Sequence, residues 1–258
     1  MKLYYLSRLV QLALLSAVVL VGLNVLGLAN LLPWFSRISP LMTLTTRLAA
    51  RQWTPYFAGG VLLAFVGVLF PRIFCGWFCP VGACVDLLDS HLHGSAIKAA
   101  LPGWWWISSV ICAGLVIAAG AGYEVAGFTD PLTITAHTVA VLSPDESARQ
   151  NQADLATGPI NVGIIMVTIF IGVLALTVFG RRTWCKILCP LGAMLGTLAY
   201  FGMTRRVVSE KCIKCGLCRK VCKMGAVREG FRQTRRQLCV FCRECVKVCP
   251  KNAVGFKW

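Results

Sequence analysis

Charge is scarce in this chain, and negative charge scarcer still. Of 258 residues only 14% are charged, and just ten are Asp or Glu. With 57% hydrophobic residues and a mean hydropathy of +0.70, the composition excludes an ordinary soluble domain and fits a polytopic membrane protein. Histidine is rarer than acid. His91, His93 and His137 all fall in polar stretches, which argues against a transmembrane haem held by two histidines. No C-x2-C-H occurs, so covalent c-type haem is excluded. Nor is there a nucleophile–base pair, a nucleotide-binding loop or a carboxylate dyad, which leaves substrate chemistry to a partner.

The charge that is present is unevenly placed. Residues 1–180 carry eight Lys/Arg and seven Asp/Glu, a balance of +1, whereas residues 181–258 carry eighteen and three, a balance of +15. The basic residues of the tail are interleaved with cysteines and accompany no nucleic-acid motif. They read as the cytoplasmic end of a membrane protein, not as a nucleic-acid surface.

Four apolar runs, residues 9–32, 56–70, 104–123 and 160–180, predict four membrane-crossing helices. The first is too long for a signal peptide and lacks its small-residue cleavage site. Four crossings put both termini on one side. With the termini inside, Lys/Arg number 22 inside and four outside, which predicts a bacterial inner (cytoplasmic) membrane protein with its tail in the cytoplasm. Arg37, Arg47 and Arg51 depart from that rule. Trp34, Trp53 and Tyr123 read as outer interface anchors, and Trp104, Trp105, Trp106 and Trp184 as inner ones. Residues 124–158 read as an acidic outer loop. Residues 41–51, with Leu41, Leu44 and Leu48 on one side, read as an amphipathic piece on the outer face against which a quinone could bind.

An internal repeat runs through the membrane part. Residues 72–83 (RIFCGWFCPVGA) match residues 182–193 (RTWCKILCPLGA), with Pro40-Leu41 and Pro131-Leu132 at similar places upstream. The expected fold is therefore mainly α: a four-helix polytopic membrane domain over residues 1–203, made of two related two-helix repeats. A small C-terminal α+β domain over residues 204–258 follows.

Cysteine is what the chain has in abundance, fourteen in all. Eight form two copies of C-x2-C-x2-C-x3-C, the ligand pattern of a bacterial two-cluster ferredoxin. In that pattern the fourth ligand of each cluster comes from the other motif. Cys212, Cys215, Cys218 and Cys249 are assigned to one [4Fe-4S] cluster, and Cys239, Cys242, Cys245 and Cys222 to the other. Zinc is the competing reading of C-x2-C pairs, but two complete motifs in this register favour clusters. Cys222 is followed by Lys223 where the pattern usually has Pro. Lys211, Lys214, Arg219, Lys220, Arg243 and Lys247 should favour the reduced, more anionic form of each cluster and raise its potential toward that of quinone.

The repeat carries four further thiols. Cys75 and Cys79, with Cys185 and Cys189, form two C-x3-C-P motifs whose cysteines share a face if helical. Together they could hold a third iron–sulfur or other metal centre, with dithiol pairs as the alternative. Cys84 and Cys112 read as ordinary buried thiols, and His91 and His93 as solvated.

Four spans, two C-x3-C-P motifs and a terminal two-cluster ferredoxin resemble the NapH/MauN family of membrane ferredoxin-type subunits over essentially the whole chain. Ser39-Pro40-Leu41-Met42-Thr43-Leu44 and the 182–193 motif are also similar to that family. The resemblance implies a subunit of a quinol dehydrogenase, part of an oxidoreductase complex. Such a subunit takes electrons from the quinone pool and delivers them to a partner iron–sulfur or cytochrome subunit. Two other readings fit the same residues: an assembly factor that reduces a metal or disulfide, and an electron-supplying subunit of a metal-uptake system.

Overall fold

The computed structural model describes residues 2–23, 36–51, 57–69, 72–92, 106–143, 161–202 and 204–257. Each apolar run becomes a helix where it is described: α1 (Lys2–Gly22), α3 (Phe57–Leu69), α6 (Trp106–Gly120) and α8 (Asn161–Phe179). Two of them, over Tyr4–Gly22 and Val162–Phe179, are long and apolar enough to cross a membrane. The described parts of α3 and α6 are shorter apolar helices. Leucines, isoleucines or valines stand exposed on all four.

Further helices were not expected from hydropathy. The segment Pro40–Ala50 forms α2, and Pro131–Leu142 forms α7. Both start with proline in the first turn, where a missing N–H is harmless. Each packs one face inward. Leu41 and Thr45 of α2 are fully buried, and Leu41 sits in a core with Cys189, Leu191 and Leu195, while Leu44 and Ala50 stay exposed, so the amphipathic piece is a half-length helix with one packed face. The segment read as an acidic loop carries α7, of which nine residues are buried, His137 included. Its polar look came from threonines. Thr135 and Thr138 donate their hydroxyls to the carbonyls of Pro131 and Ile134, so they enter a core without unpaired polar atoms. The two half-helices meet where Ser39 Oγ donates to Asp130 Oδ1 at 2.6 Å. Asp130 also caps α7 through the amides of Leu132 and Thr133.

The repeat is correspondingly larger than a helix pair. After α3 come a short turn α4 (Ile73–Trp77) and α5 (Pro80–Leu92). After α8 come a π-helical turn (Trp184–Leu188) and α9 (Pro190–Leu198). The packing respects a pseudo-two-fold relation. Helix α2 packs on α6 as α7 packs on α1, and α3 on α9 as α8 on α5. The halves are thus interlocked, each helix after a C-x3-C-P motif lying against the other half.

The tail forms a small unit. Strands β1 (Arg205–Val208) and β2 (Val254–Lys257) pair antiparallel, with Arg205 opposite Lys257 and Val208 opposite Val254. Short helices α10 (Leu217–Lys220) and α11 (Glu244–Lys247) follow the second cysteine of each motif. A two-stranded ribbon and two single-turn helices have too little core to hold themselves. Trp34, Trp53, Trp104, Trp105, His93 and the side chain of His91 lie outside the described residues. Trp106 and Tyr123 are exposed, as interface anchors would be, whereas Trp184 packs inward among cysteines.

Candidate metal centres

The eight tail cysteines gather around two cavities. Cys212, Cys215, Cys218 and Cys249 line one, with Ile213, Phe231 and Pro250. Cys222, Cys239, Cys242 and Cys245 line the other, with Met224, Val240 and Phe256. The crossing of Cys222 and Cys249 between motifs is therefore a feature of the structure. Local backbone explains the cradles. Lys214 and Phe241, just before the second cysteines, have φ of 54° and 53°, and Gly216 and Arg243, just after them, have φ of 76° and 60°. A left-handed residue on each side of a cysteine curls the chain tightly. At Lys214, Phe241 and Arg243 it costs on the order of 1–3 kcal/mol each. The same strain at the same register in both motifs marks a cradle.

The second cradle is suited to an anion with many acceptor atoms. Arg206 Nε and Nη2 and Arg243 Nε are buried without a hydrogen-bond partner, and both residues line it. Burial pushes the Cys242 thiol up to about 11 and the Cys245 thiol to about 12, with neighbouring thiols adding to the rise. Such thiols stay protonated until a cation takes the place of the proton, so metal loading releases protons. Among the described residues no three Cys, His, Asp or Glu side chains converge tightly enough for a single ion. Thiolates that share a cubane bind different irons and spread wider, so the cradles fit clusters better than zinc.

The C-x3-C-P cysteines form a third group. Cys79, Cys185 and Cys189 are buried and Cys75 half-buried. Each motif closes with a π-type bond, Cys79 N to Phe74 O at 2.9 Å and Cys189 N to Trp184 O at 3.0 Å. The second cysteine then leaves the helix and caps the next one, Gly82 N and Gly192 N donating to Cys79 Sγ and Cys189 Sγ at 3.5 and 3.3 Å. The paired thiols therefore do not sit on one regular helical face. Cys79 Sγ and Cys189 Sγ lie at the positive ends of α5 and α9, which favours thiolate. Desolvation opposes it and holds both thiols well above the ordinary value. Cys185 belongs to the same packed core as Cys222, Cys239 and Cys242, so this group adjoins the second tail cradle directly. Cys84 and Cys112 are half-buried and fall in neither cradle.

The two arginines that precede the motifs are the residues sequence reasoning missed. Arg72 and Arg182 both take φ near +50° and both are buried. Arg182 grips Asp86 with two bonds, Nε to Oδ1 at 2.9 Å and Nη2 to Oδ2 at 2.7 Å, and donates to Cys75 O at 3.3 Å. Arg72 lies against Gly196, the repeat counterpart of Asp86, and its Nε has no partner. Its neighbours are the thiols of Cys75, Cys189, Cys185 and Cys239. Trp184 Nε1, in the same packing, is also unpartnered. A buried guanidinium that, among the described residues, lacks a carboxylate and lies among cysteines suits an anionic centre held by those cysteines.

Asp86 also joins the two parts of the molecule. It accepts from Arg8 of α1 at 2.7 Å and from Lys223 of the tail at 3.2 Å. Lys223 further approaches Asp89 and Glu244, both at 3.8 Å, and Arg8 pairs with Glu244 at 3.0 Å. Burial alone would raise the Asp86 carboxyl, yet Arg182, Lys223 and Arg8 hold it well below the usual carboxylate range. Lys223 stands where the ferredoxin pattern has Pro, and the tether gives that departure its reason. The backbones also touch: a side chain at Gly76 would collide with Val240 O, and Trp77 Nε1 donates to Phe241 O at 3.3 Å.

Comparison with known proteins agrees with this geometry. A 4Fe-4S binding domain matches residues 53–97 and again 162–207, one C-x3-C-P motif in each, and a 4Fe-4S dicluster domain matches residues 211–254. YccM of Escherichia coli (strain K12), named for electron transport, is 29% identical over 72% of this chain and 52% of its own length. The methylamine utilization ferredoxin-type protein MauN of Methylobacillus flagellatus is 26% identical over 64% of this chain and 53% of its own. The ferredoxin-type protein NapH of Haemophilus influenzae is 27% identical over 71% and 59%. The chain thus spans about half the length of the curated relatives it matches. No solved structure matches it significantly. Repeated 4Fe-4S binding domains followed by a dicluster domain, in a chain similar to proteins of these names, support a NapH/MauN-type 4Fe-4S ferredoxin protein.

Proposed function

We propose that the chain is a membrane-bound electron-transfer subunit that passes electrons between the quinone pool and a partner redox protein. In this reading residues 1–203 are the membrane domain, crossed by α1, α3, α6 and α8, and residues 204–258 are a two-cluster domain on the cytoplasmic side. Cys212, Cys215, Cys218 and Cys249 hold one [4Fe-4S] cluster, and Cys239, Cys242, Cys245 and Cys222 the second. Cys75, Cys79, Cys185 and Cys189 hold a third centre. When bound, such clusters supply one-electron storage at potentials set by charge, hydrogen bonding and exposure.

The observation that carries the reading is contiguity. The membrane-side thiols pack against the second cradle, and the first cradle lies farther out, with Cys215 and Ile213 exposed. The residues grade the surroundings along that line. Arg72 and Arg182 place buried positive charge at the inner group, while Lys214 and Lys251 border the outer one. Positive charge near each thiolate set favours the electron-rich state. An exposed cradle ringed by lysine suits a partner with an acidic docking face, such as an iron–sulfur or cytochrome subunit.

Two measurements test this. Adding a quinol analogue to the purified protein should produce the EPR signals of reduced clusters, and no reduction even with the natural partner present would refute a role with quinol. Iron and sulfide should total about twelve irons per chain and fall to about eight in a Cys75→Ser/Cys185→Ser variant. Unchanged iron would leave these cysteines as dithiols.

A further inference from the structure

A cavity of about 260 Å3 opens beside the second cradle, and five arginines line it: Arg205, Arg206, Arg228, Arg232 and Arg236. Among the described residues no carboxylate lines it. Arg232 pairs with Glu210 at 2.9 Å, and Arg206 Nη1 donates to Phe231 O and Thr234 Oγ1 at 2.9 and 3.2 Å. Among the described residues Arg205, Arg228 and Arg236 have no ion-pair partner. Five guanidinium groups gathered with one neighbouring carboxylate, that of Glu210, repel one another, and an oxyanion with several acceptor oxygens relieves that repulsion.

Position identifies the anion. The cavity starts at Thr204, whose hydroxyl donates to the carbonyl of Leu69, the last residue of α3. Just upstream, Tyr200 and Phe201 stand 68% and 75% exposed, edge to face with centroids 6.0 Å apart. Exposed aromatic rings at the end of an apolar helix belong at the headgroup level of a bilayer. The arginine cavity is thus level with phosphates, not with hydrocarbon or bulk water. We propose that it binds the phosphate of an anionic phospholipid headgroup, docking the cluster-bearing tail onto the membrane surface. A diffuse attraction of basic residues to an acidic leaflet would need no cavity. Here four exposed arginines from β1, the turn at 228–232 and the turn Arg236–Leu238 converge around a buried fifth. The inference rests on the reading that α3 and its neighbours cross a membrane.

The test uses the cluster-loaded chain in phosphatidylcholine micelles titrated with cardiolipin, with retained lipid read by native mass spectrometry. The unmodified chain should retain cardiolipin, and Arg205→Gln/Arg236→Gln should weaken retention roughly tenfold. Lys211→Gln/Lys220→Gln removes equal charge from exposed positions that do not line the cavity and should change retention less than about twofold. Equal loss in both variants would overturn the site in favour of diffuse attraction. Displacement of the lipid by inorganic phosphate at matched ionic strength would identify a free anion as the occupant and overturn it as well. Alkaline carbonate extraction separates the premise from the inference. Release of the chain would refute the membrane reading and this site with it. A chain that stays in the membrane but prefers cardiolipin no more than phosphatidylcholine would refute the headgroup site alone.

Discussion

The two halves of the membrane repeat use the same arginine in opposite ways. Arg182 meets a carboxylate, Asp86, supplied by the helix after the other half's motif. Arg72 meets Gly196 at the matching place and is left facing thiols. One half has spent its symmetry on a structural ion pair that fastens the tail. The other keeps a buried cation whose natural counter-charge is a loaded metal centre. A repeated scaffold can thus divide one position between assembly and chemistry by changing a single residue.

The largest effect should separate the halves. Asp86→Ala leaves Arg182, Lys223 and Arg8 without their shared anion, and it should cost about 3–5 kcal/mol in denaturant unfolding followed by cluster absorbance. Arg72→Met breaks no carboxylate pair. In metal-free protein it should cost less than about 1 kcal/mol, or even stabilise, while lowering iron bound at the C-x3-C-P cysteines. Equal losses from both would erase the distinction.

Close approach comes next. At Gly196 an added Cβ would fall 2.7 Å from Arg72 Nη2 and 3.0 Å from Gln237 O, and at Gly76 it would collide with Val240 O. Gly76→Ala should cost about 1–3 kcal/mol by prising the tail from the first motif. Gly196→Ala should cost less, because the guanidinium can shift. Thermal melts that rank them the other way would show that the tail leans on the second half instead.

A smaller change tests the tether. Lys223→Met should lower stability by about 1–2 kcal/mol, since Asp86 keeps two cationic partners. Its clearer sign is faster proteolytic release of the tail near residue 204, which a lysine with no docking role would not alter.

The weakest effect near neutrality is that of pH. The folded Asp86 carboxyl lies below its unfolded value, so its stabilisation is complete above the ordinary carboxylate range, near pH 4. It is lost only as pH falls toward the depressed folded value. Stability should be flat from pH 6 to 8 with respect to this group, and the acid-side slope should be shallower in Asp86→Ala.

Much of the fold was legible because its signals are local. Cysteine spacing is set by a loop of a dozen residues, so the two tail motifs announced their cradles. Apolar runs marked the long helices because hydrocarbon exposure demands continuous hydrophobicity. Helix α7 escaped notice because it is short and threonine-rich, and those threonines satisfy their hydroxyls on their own backbone, whereas α2 was legible as an amphipathic piece but not as part of a core. The arginine and aspartate roles escaped because the partners are 96 and 137 residues apart. Two signals pointed to them: Lys223 in the place of a proline, and the aspartate–glycine mismatch inside an otherwise close repeat.

By itself, then, the sequence determined which cysteines gather in each cradle and which segments form long apolar helices, since both follow from residue type and short-range spacing. Only the tertiary structure decided that the repeats interlock, that their thiols abut the second tail cradle, and which of two equivalent arginines is left without an acid. Those outcomes depend on which buried charges come within a few ångströms of each other. Desolvation makes that choice costly to get wrong, and no local pattern encodes it.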